Sequence, residues 1–389
     1  MSDRFSAPAP VPQATPEVIH LSTERVQPGT RPFPIRDNAL PPDTVPDDVL
    51  CATACTNTPR FVPHGDGWAL VLATTQGAPG RSLYADVSGI TDRSRLEAGL
   101  MRPHPTVPKV RACVLAVPPG WRGSVRYLPV DGDDPTVPKG PAQRTWWKNL
   151  VRGAFLPEGE EIHHSIGPAT VLSTPDAATD HATGEGPDWT SRTAAVPAVE
   201  PRSVRLVETG GTGTPLVVFD GPLFHNSGAM TALSILDVIP SHIAFIIHGD
   251  GVEGRNRDLL RNDDFTTAVL DTVSRETGAP RVVVAGSSYG GLGALYAAAT
   301  HPDSVAGAIA LSTPFSRFED WEPLRTLPDD IRIVIDGGEL EWLMMHGFDH
   351  AEDRLRELGV NHIARRFVGG HDIACWRGRI AEDYALIVG

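Results

Sequence analysis

Four cysteines in 389 residues, Cys51, Cys55, Cys113 and Cys375, are too few for a disulfide framework. Cys51 and Cys55 lie close enough together to suggest a metal pair. No second Cys/His pair stands at zinc spacing, so they read as structural or incidental, and neither a metal nor a cofactor is expected. The chain has no apolar run of about 18 residues, and its first residues carry no apolar signal-peptide core. A cytoplasmic protein with no membrane partner is expected. Positive charge is scarce: 34 Lys and Arg against 48 Asp and Glu give a net charge of −14, which disfavours nucleic acid and anionic membranes as partners. The 41% hydrophobic and 6% aromatic content suits a soluble globular chain long enough for two domains.

Composition changes along the chain mark its organisation. Residues 1–60 are rich in Pro, Thr and Asp and read as an irregular N-terminal arm. Residues 61–165 carry short alternating runs (67–74, 82–87, 110–117, 123–130) separated by turn residues such as Pro118, Pro119 and Gly120. That spacing predicts a small antiparallel β-sandwich, with an amphipathic helix over 143–155 closing it. Residues 166–202 return to Thr, Ala, Pro, Gly and Asp and read as an interdomain linker. Within 203–389, apolar runs at 215–219, 243–247, 282–285, 306–311 and 331–335 alternate with helix-like stretches such as 264–276 and 351–358. This is the pattern of a doubly wound α/β sheet with buried parallel strands.

One stretch carries the chemistry. The run 282–285 enters Gly286-Ser287-Ser288-Tyr289-Gly290, and the helix-forming run 292–299 follows at once. Strand, sharp turn and helix form the context of a nucleophile elbow. Glycines two before and two after Ser288 remove Cβ atoms where strand and helix backbones meet. Ser288 is therefore the candidate nucleophile, and Ser287 is not flanked symmetrically. The helix start offers the N–H of Tyr289 to a developing oxyanion.

A serine hydroxyl needs a base, and the base needs an orienting group. In this fold class the order is Ser, acid, His. The candidate base is His371, in a loop that Gly369 and Gly370 allow to be tight, with Trp376 placed to roof the imidazole and to touch substrate. His346, His350 and His362 sit in or beside helix-like sequence and read as surface residues. Asp336, Glu339 and Glu341 all follow the strand 331–335 and are candidate acids. For the second oxyanion donor, the loop 219–225 is the natural source. Pro222 has no N–H, which leaves Leu223; the loop 248–251 is a rival. Arg255, Arg257 and Arg261 form a positive loop able to hold an anionic ester.

Taken together, these stretches resemble the enterochelin (ferric enterobactin) esterases, within the esterase-D-like α/β-hydrolases. The matching residues are Asp220-Gly221; Arg255, Asp258, Leu259, Asn262 and Phe265; Ala285-Gly286, Ser288, Gly290-Gly291-Leu292; and Gly369-Gly370-His371-Asp372 with Cys375-Trp376-Arg377-Gly378. Residues 118–124 and the helix with Trp146 and Trp147 extend the likeness into the N-terminal module. The resemblance implies an α/β-hydrolase domain behind a smaller β-rich domain. It implies a serine esterase acting on tri-catecholate siderophores through Ser288 and His371. It also places the acid at Glu341, three residues after Gly338, and Arg255 in the loop facing the serine. Pro222 and Ser287 depart from the family pattern and leave the substrate open. An acyltransferase, cyclase or thioesterase of natural-product assembly is the alternative.

Overall fold

The computed structural model describes residues 38–389 except 78–80, 94–95, 108, 133–134, 139–140, 165, 198–201, 250, 319 and 342–343. Most of the expected N-terminal arm therefore lies outside the described residues. The described part of it holds strand β1 (Ala39–Leu40) and helix α1 (Asp47–Thr56).

The β-rich half holds β1, β2 (Arg60–His64), β3 (Gly67–Thr74), β4 (Arg81–Val87), β5 (Leu100–Pro103), β6 (Arg111–Val117), β7 (Arg122–Asp131), β8 (Glu160–His164) and β9 (Gly167–Ser173). Pairing is antiparallel, in the order β2-β3-β6-β5-β4-β7-β9-β8, with β1 on β6. Strand β5 splits its pairing, Met101 to Leu83 of β4 and Arg102 to Ala112 of β6, and so turns the path from one layer to the other. Both faces of the central strands are covered, which explains their nearly unbroken apolar sequence. In β3, Leu70 and Leu72 point into the interior with Leu83, Leu115 and Val125, while Ala69 and Val71 pack on α1. Leu50 of α1 is fully buried there, a contribution of about 1.5–3 kcal/mol. On the opposite face, helix α2 (Pro141–Arg152) lays Trp147 and Val151 on Tyr84 and Leu128.

The second sheet runs β10 (Thr190–Val196), β11 (Arg202–Glu208), β13 (His242–Ile247), β12 (Leu216–Val218), β14 (Val282–Ser287), β15 (Val305–Leu311), β16 (Arg332–Gly338) and β17 (His362–Phe367). The β10–β11 and β11–β13 pairs are antiparallel; the other pairs are parallel, as the apolar runs predict. Helices α5 (Gly251–Leu259), α6 (Asp263–Thr277), α7 (Tyr289–Thr300) and α8 (Met345–Leu358) bury apolar residues on one face. Helices α3 (Gly221–His225), α4 (Ala229–Ile235) and α9 (Ile373–Val388) cover the other. The architecture is the expected α/β sheet preceded by a β-rich module. Among the described residues no helix is long and apolar enough to cross a membrane.

Two stretches differ from the sequence reading. Residues 166–202, expected as a linker, contain β9, which completes the first sheet, and β10, which edges the second. The segment with Arg255 is helix α5 rather than a loop.

Candidate active site

Strand ends at the carboxyl edge of the second sheet gather the site. Register aligns Ser287 of β14 with Leu311 of β15, and Leu311 with Asp336 of β16. The next residues outward, Ser288, Ser312 and the 338–341 turn, are thereby neighbours. Gly286 and Gly290 are in backbone contact: a Cβ on Gly286 would lie 2.4 Å from the Gly290 carbonyl carbon. Ser288 has φ 54° and ψ −120°, and its N–H donates to Leu311 O at 2.8 Å. Asp220 (φ 60°) and Ser312 (φ 46°) also have positive φ, so three adjacent strands end in non-glycine residues on that side of the map. Each such residue costs on the order of 1–3 kcal/mol, held in place by the surrounding packing.

His371 lies in the turn between β17 and α9. Its Nδ1 is 2.7 Å from Glu341 Oε2. The Glu341 side chain is only 1% exposed and that of His371 38%. The other carboxylate oxygen, Oε1, accepts the Gly338 N–H at 3.1 Å and the Ser312 hydroxyl. A side chain at Gly338 would strike Glu341 Oε1 at 2.7 Å and Gly369 O at 2.5 Å, so glycine there lets the carboxylate fold back over the strand end. Trp376 donates its indole N–H to Ser312 Oγ at 2.8 Å, which directs the serine proton onto Glu341. The indole also meets the imidazole edge-on, with ring centroids 4.8 Å apart. Among the described residues no hydrogen bond joins Ser288 Oγ to His371, an arrangement often met in unliganded triads.

Asp336 and Glu339 sit elsewhere. Asp336 is fully buried and bonded to Arg379 Nε at 2.6 Å. Burial raises its pKa above the ordinary carboxylate range despite that arginine. Glu339 is half-buried, its pKa also raised by burial. His350 is exposed, and His362 bonds to Val360 O at 2.8 Å. The side chain of His346 lies outside the described residues.

The alpha/beta hydrolase fold family matches residues 248–331. Over 79% of this chain and 83% of the relative, the sequence is 29% identical to the iron(III) enterobactin esterase of Dickeya dadantii. That of Escherichia coli K12 is 26% identical over 67% of this chain and 75% of its own. Ferric enterobactin esterase of Salmonella typhimurium superposes with a TM-score of 0.71 at 23% identity, covering 85% of this chain and 96% of that one. The chain has the α/β-hydrolase fold and is similar to the enterobactin esterases. The resemblance seen in the motifs thus holds across both halves.

Three residues stand differently from the sequence reading. Leu223 cannot lend its N–H to an oxyanion, because that group donates to Asp220 O at 3.0 Å. Residues 221–225 form the helical turn α3, where Pro222 is tolerated in the first turn and later N–H groups point back along the helix. The N–H groups of Asp220 and Gly221, before the first helical bond, are the remaining candidates for a second donor.

Arg255 is partly buried, its side chain 23% exposed, and already holds a carboxylate. Its guanidinium grips Asp220 with two bonds, the Nη2–Oδ2 contact at 2.5 Å, and lies 5.6 Å from the Tyr289 ring centroid. Burial opposes its charge, but the Asp220 carboxylate outweighs that and raises its pKa. This ion pair also presses on the elbow, since a Cβ on Gly290 would come within 2.9 Å of Asp220 Oδ2. Trp376 is 4% exposed, so it serves His371 and Ser312 and offers almost no surface to substrate.

Two residues were missed. Ser312 could have been sought as a polar residue directly after the apolar run 305–311, on the edge where ligands bind in such sheets. Arg317 holds its guanidinium 5.3 Å from the Tyr289 centroid, and among the described residues it has no carboxylate partner. No sequence pattern marks it.

Proposed function

We propose that this chain hydrolyses ester bonds of catecholate siderophores through an acyl-enzyme on Ser288. The observation that carries the reading is the His371–Glu341 bond, made beside a nucleophile elbow on adjoining strand ends. Glu341 accepts the Nδ1 proton and so leaves the Nε2 lone pair of His371 to take the proton of Ser288 as its Oγ attacks the carbonyl. The tetrahedral oxyanion would lie against the Tyr289 N–H and one from Asp220 or Gly221. His371 then protonates the departing alkoxide, and a water molecule, deprotonated by the same nitrogen, releases the acid. The named relatives act on iron(III) enterobactin and, over a shorter 130-residue match, iron(III) salmochelin.

Chromatography of products from a tri-catecholate lactone, with and without added alcohol or amine, tests the hydrolytic step. Free acid should accumulate at the same rate in every arm. Acyl transfer to the acceptor in preference to water would favour the biosynthetic alternative.

Substrate charge gives a second test. With a net charge of −14, the protein offers no long-range attraction to an anionic ester, so recognition must be local. Arg317 is the cation supporting that contact, and Arg317→Ala should raise KM for an anionic catecholate ester about 10- to 100-fold. Hydrolysis of neutral p-nitrophenyl acetate should hardly change. Arg255→Ala, in contrast, strips Asp220 of its partner beside the oxyanion donors. It should lower kcat on both esters about 10- to 100-fold. A loss confined to the anionic ester in Arg255→Ala would return that arginine to substrate binding.

A further inference from the structure

The turn that carries His371 is held by its own sheet, where Gly369 O accepts the Leu340 N–H at 3.1 Å, and also by the β-rich half. Val368 O accepts the N–H of Arg122 at 3.1 Å, and Cys375 Sγ reaches Arg122 O at 3.2 Å from the first turn of α9. Asp372, immediately after His371, is fully buried. One of its oxygens caps α9 through the Ala374 N–H at 2.9 Å; the other accepts both the N–H (2.8 Å) and the hydroxyl (2.5 Å) of Ser124 in β7. Before the histidine, Gly370 abuts Gly89, and a Cβ there would lie 2.7 Å from the Gly89 nitrogen. The acid is held from the same side. Leu340, next to Glu341, belongs to the interior cluster of the β-rich half and would touch a Cβ on Gly89 at 3.0 Å.

We propose that the β-rich half is a positioning element for the reaction, with Ser124 and Gly89 fixing the turn so that His371 keeps both Glu341 and Ser288 in line. The inference rests on His371 being the base, as proposed above. A domain that merely packs nearby would affect melting but not turnover of the folded enzyme. A domain that aims the imidazole would affect kcat and leave KM alone, because Ser124 is buried on Asp372 and Gly89 packs on the Gly370 backbone. Small displacements of a catalytic group are expensive: about 1 Å can cost on the order of 100-fold.

The test compares full-length Ser124→Ala and Gly370→Ala with Val71→Ala, which removes two buried methyl groups from the far face of the same half. Ser124→Ala and Gly370→Ala should lower kcat for p-nitrophenyl acetate about 10- to 100-fold at nearly constant KM. Amide exchange across 369–374 should speed up in both. Val71→Ala should lower the melting temperature while kcat holds. Wild-type kcat in Ser124→Ala and Gly370→Ala at temperatures well below melting would overturn the proposal. So would unchanged exchange across 369–374, whatever the kinetics. Full turnover by His371→Ala would instead remove the base on which the inference stands, and the exchange measurement separates that failure from the first.

Discussion

Ser288→Ala is expected to abolish both turnover and labelling by a fluorophosphonate, with a loss in kcat on the order of 10⁴–10⁶. Without Oγ there is no acyl-enzyme, and no neighbouring hydroxyl can replace it. Ser287 is 1% exposed within β14, and the Ser312 hydroxyl is committed to Glu341. The fold should be untouched, because the backbone bond from residue 288 to Leu311 O needs no side chain. Alanine inherits the strain at φ 54°, so the melting temperature should stay near that of the wild type. Ser288→Gly should be equally inactive but more stable, by about 1 kcal/mol, because glycine adopts that conformation without a Cβ clash. Full labelling of Ser288→Ala would sink the catalytic reading. Equal melting of the alanine and glycine variants would mean the elbow stores no strain.

The elbow was legible because its chemistry demands local sequence: two glycines at fixed offsets, a strand before and a helix after. The parallel strands were legible for a related reason, since burial on both faces leaves an unbroken apolar run such as 282–285. Strand β10 carries no such mark. It lies at the sheet edge with mostly exposed Thr, Ser, Arg and Ala, so nothing separates it in sequence from a linker. The ion pair of Arg255 was not legible because its partner, Asp220, is 35 residues away, and a tertiary ion pair leaves no trace in local composition. Leu223 was chosen because Pro222 has no N–H in what read as a loop; the stretch is instead a helical turn, in which proline sits comfortably and the Leu223 N–H is already used. Ser312 shows the same limit: it reads as an ordinary residue, and Trp376 only as a roof for the imidazole, until the fold joins them behind the carboxylate.

That hidden pair shapes the effect expected of Glu341→Gln, which should cut kcat on the order of 10⁴ with KM nearly unchanged. Glu341 Oε1 receives two donors, the Gly338 N–H and the Ser312 hydroxyl, and the indole of Trp376 holds the serine proton in that direction. An amide must therefore present its oxygen to them and its NH₂ to His371 Nδ1. The imidazole can satisfy that NH₂ only as an acceptor at Nδ1, which moves its proton to Nε2. In that tautomer it cannot take the proton of Ser288. Lost activity thus follows from a reversed hydrogen bond rather than a lost contact, and the protein should melt like the wild type. Ser312→Ala frees one lone pair of Oε1 and relaxes the choice of amide orientation. Added to Glu341→Gln, it should restore part of the lost rate, although alone it should reduce activity. Asp336→Asn serves as the control, replacing a carboxyl that burial already drives toward its neutral form and that bonds to Arg379 instead of His371. It should keep near wild-type kcat. A mild Glu341→Gln beside a crippled Asp336→Asn would move the orienting role to Asp336. If both were mild, Ser288 and His371 would suffice without an acid.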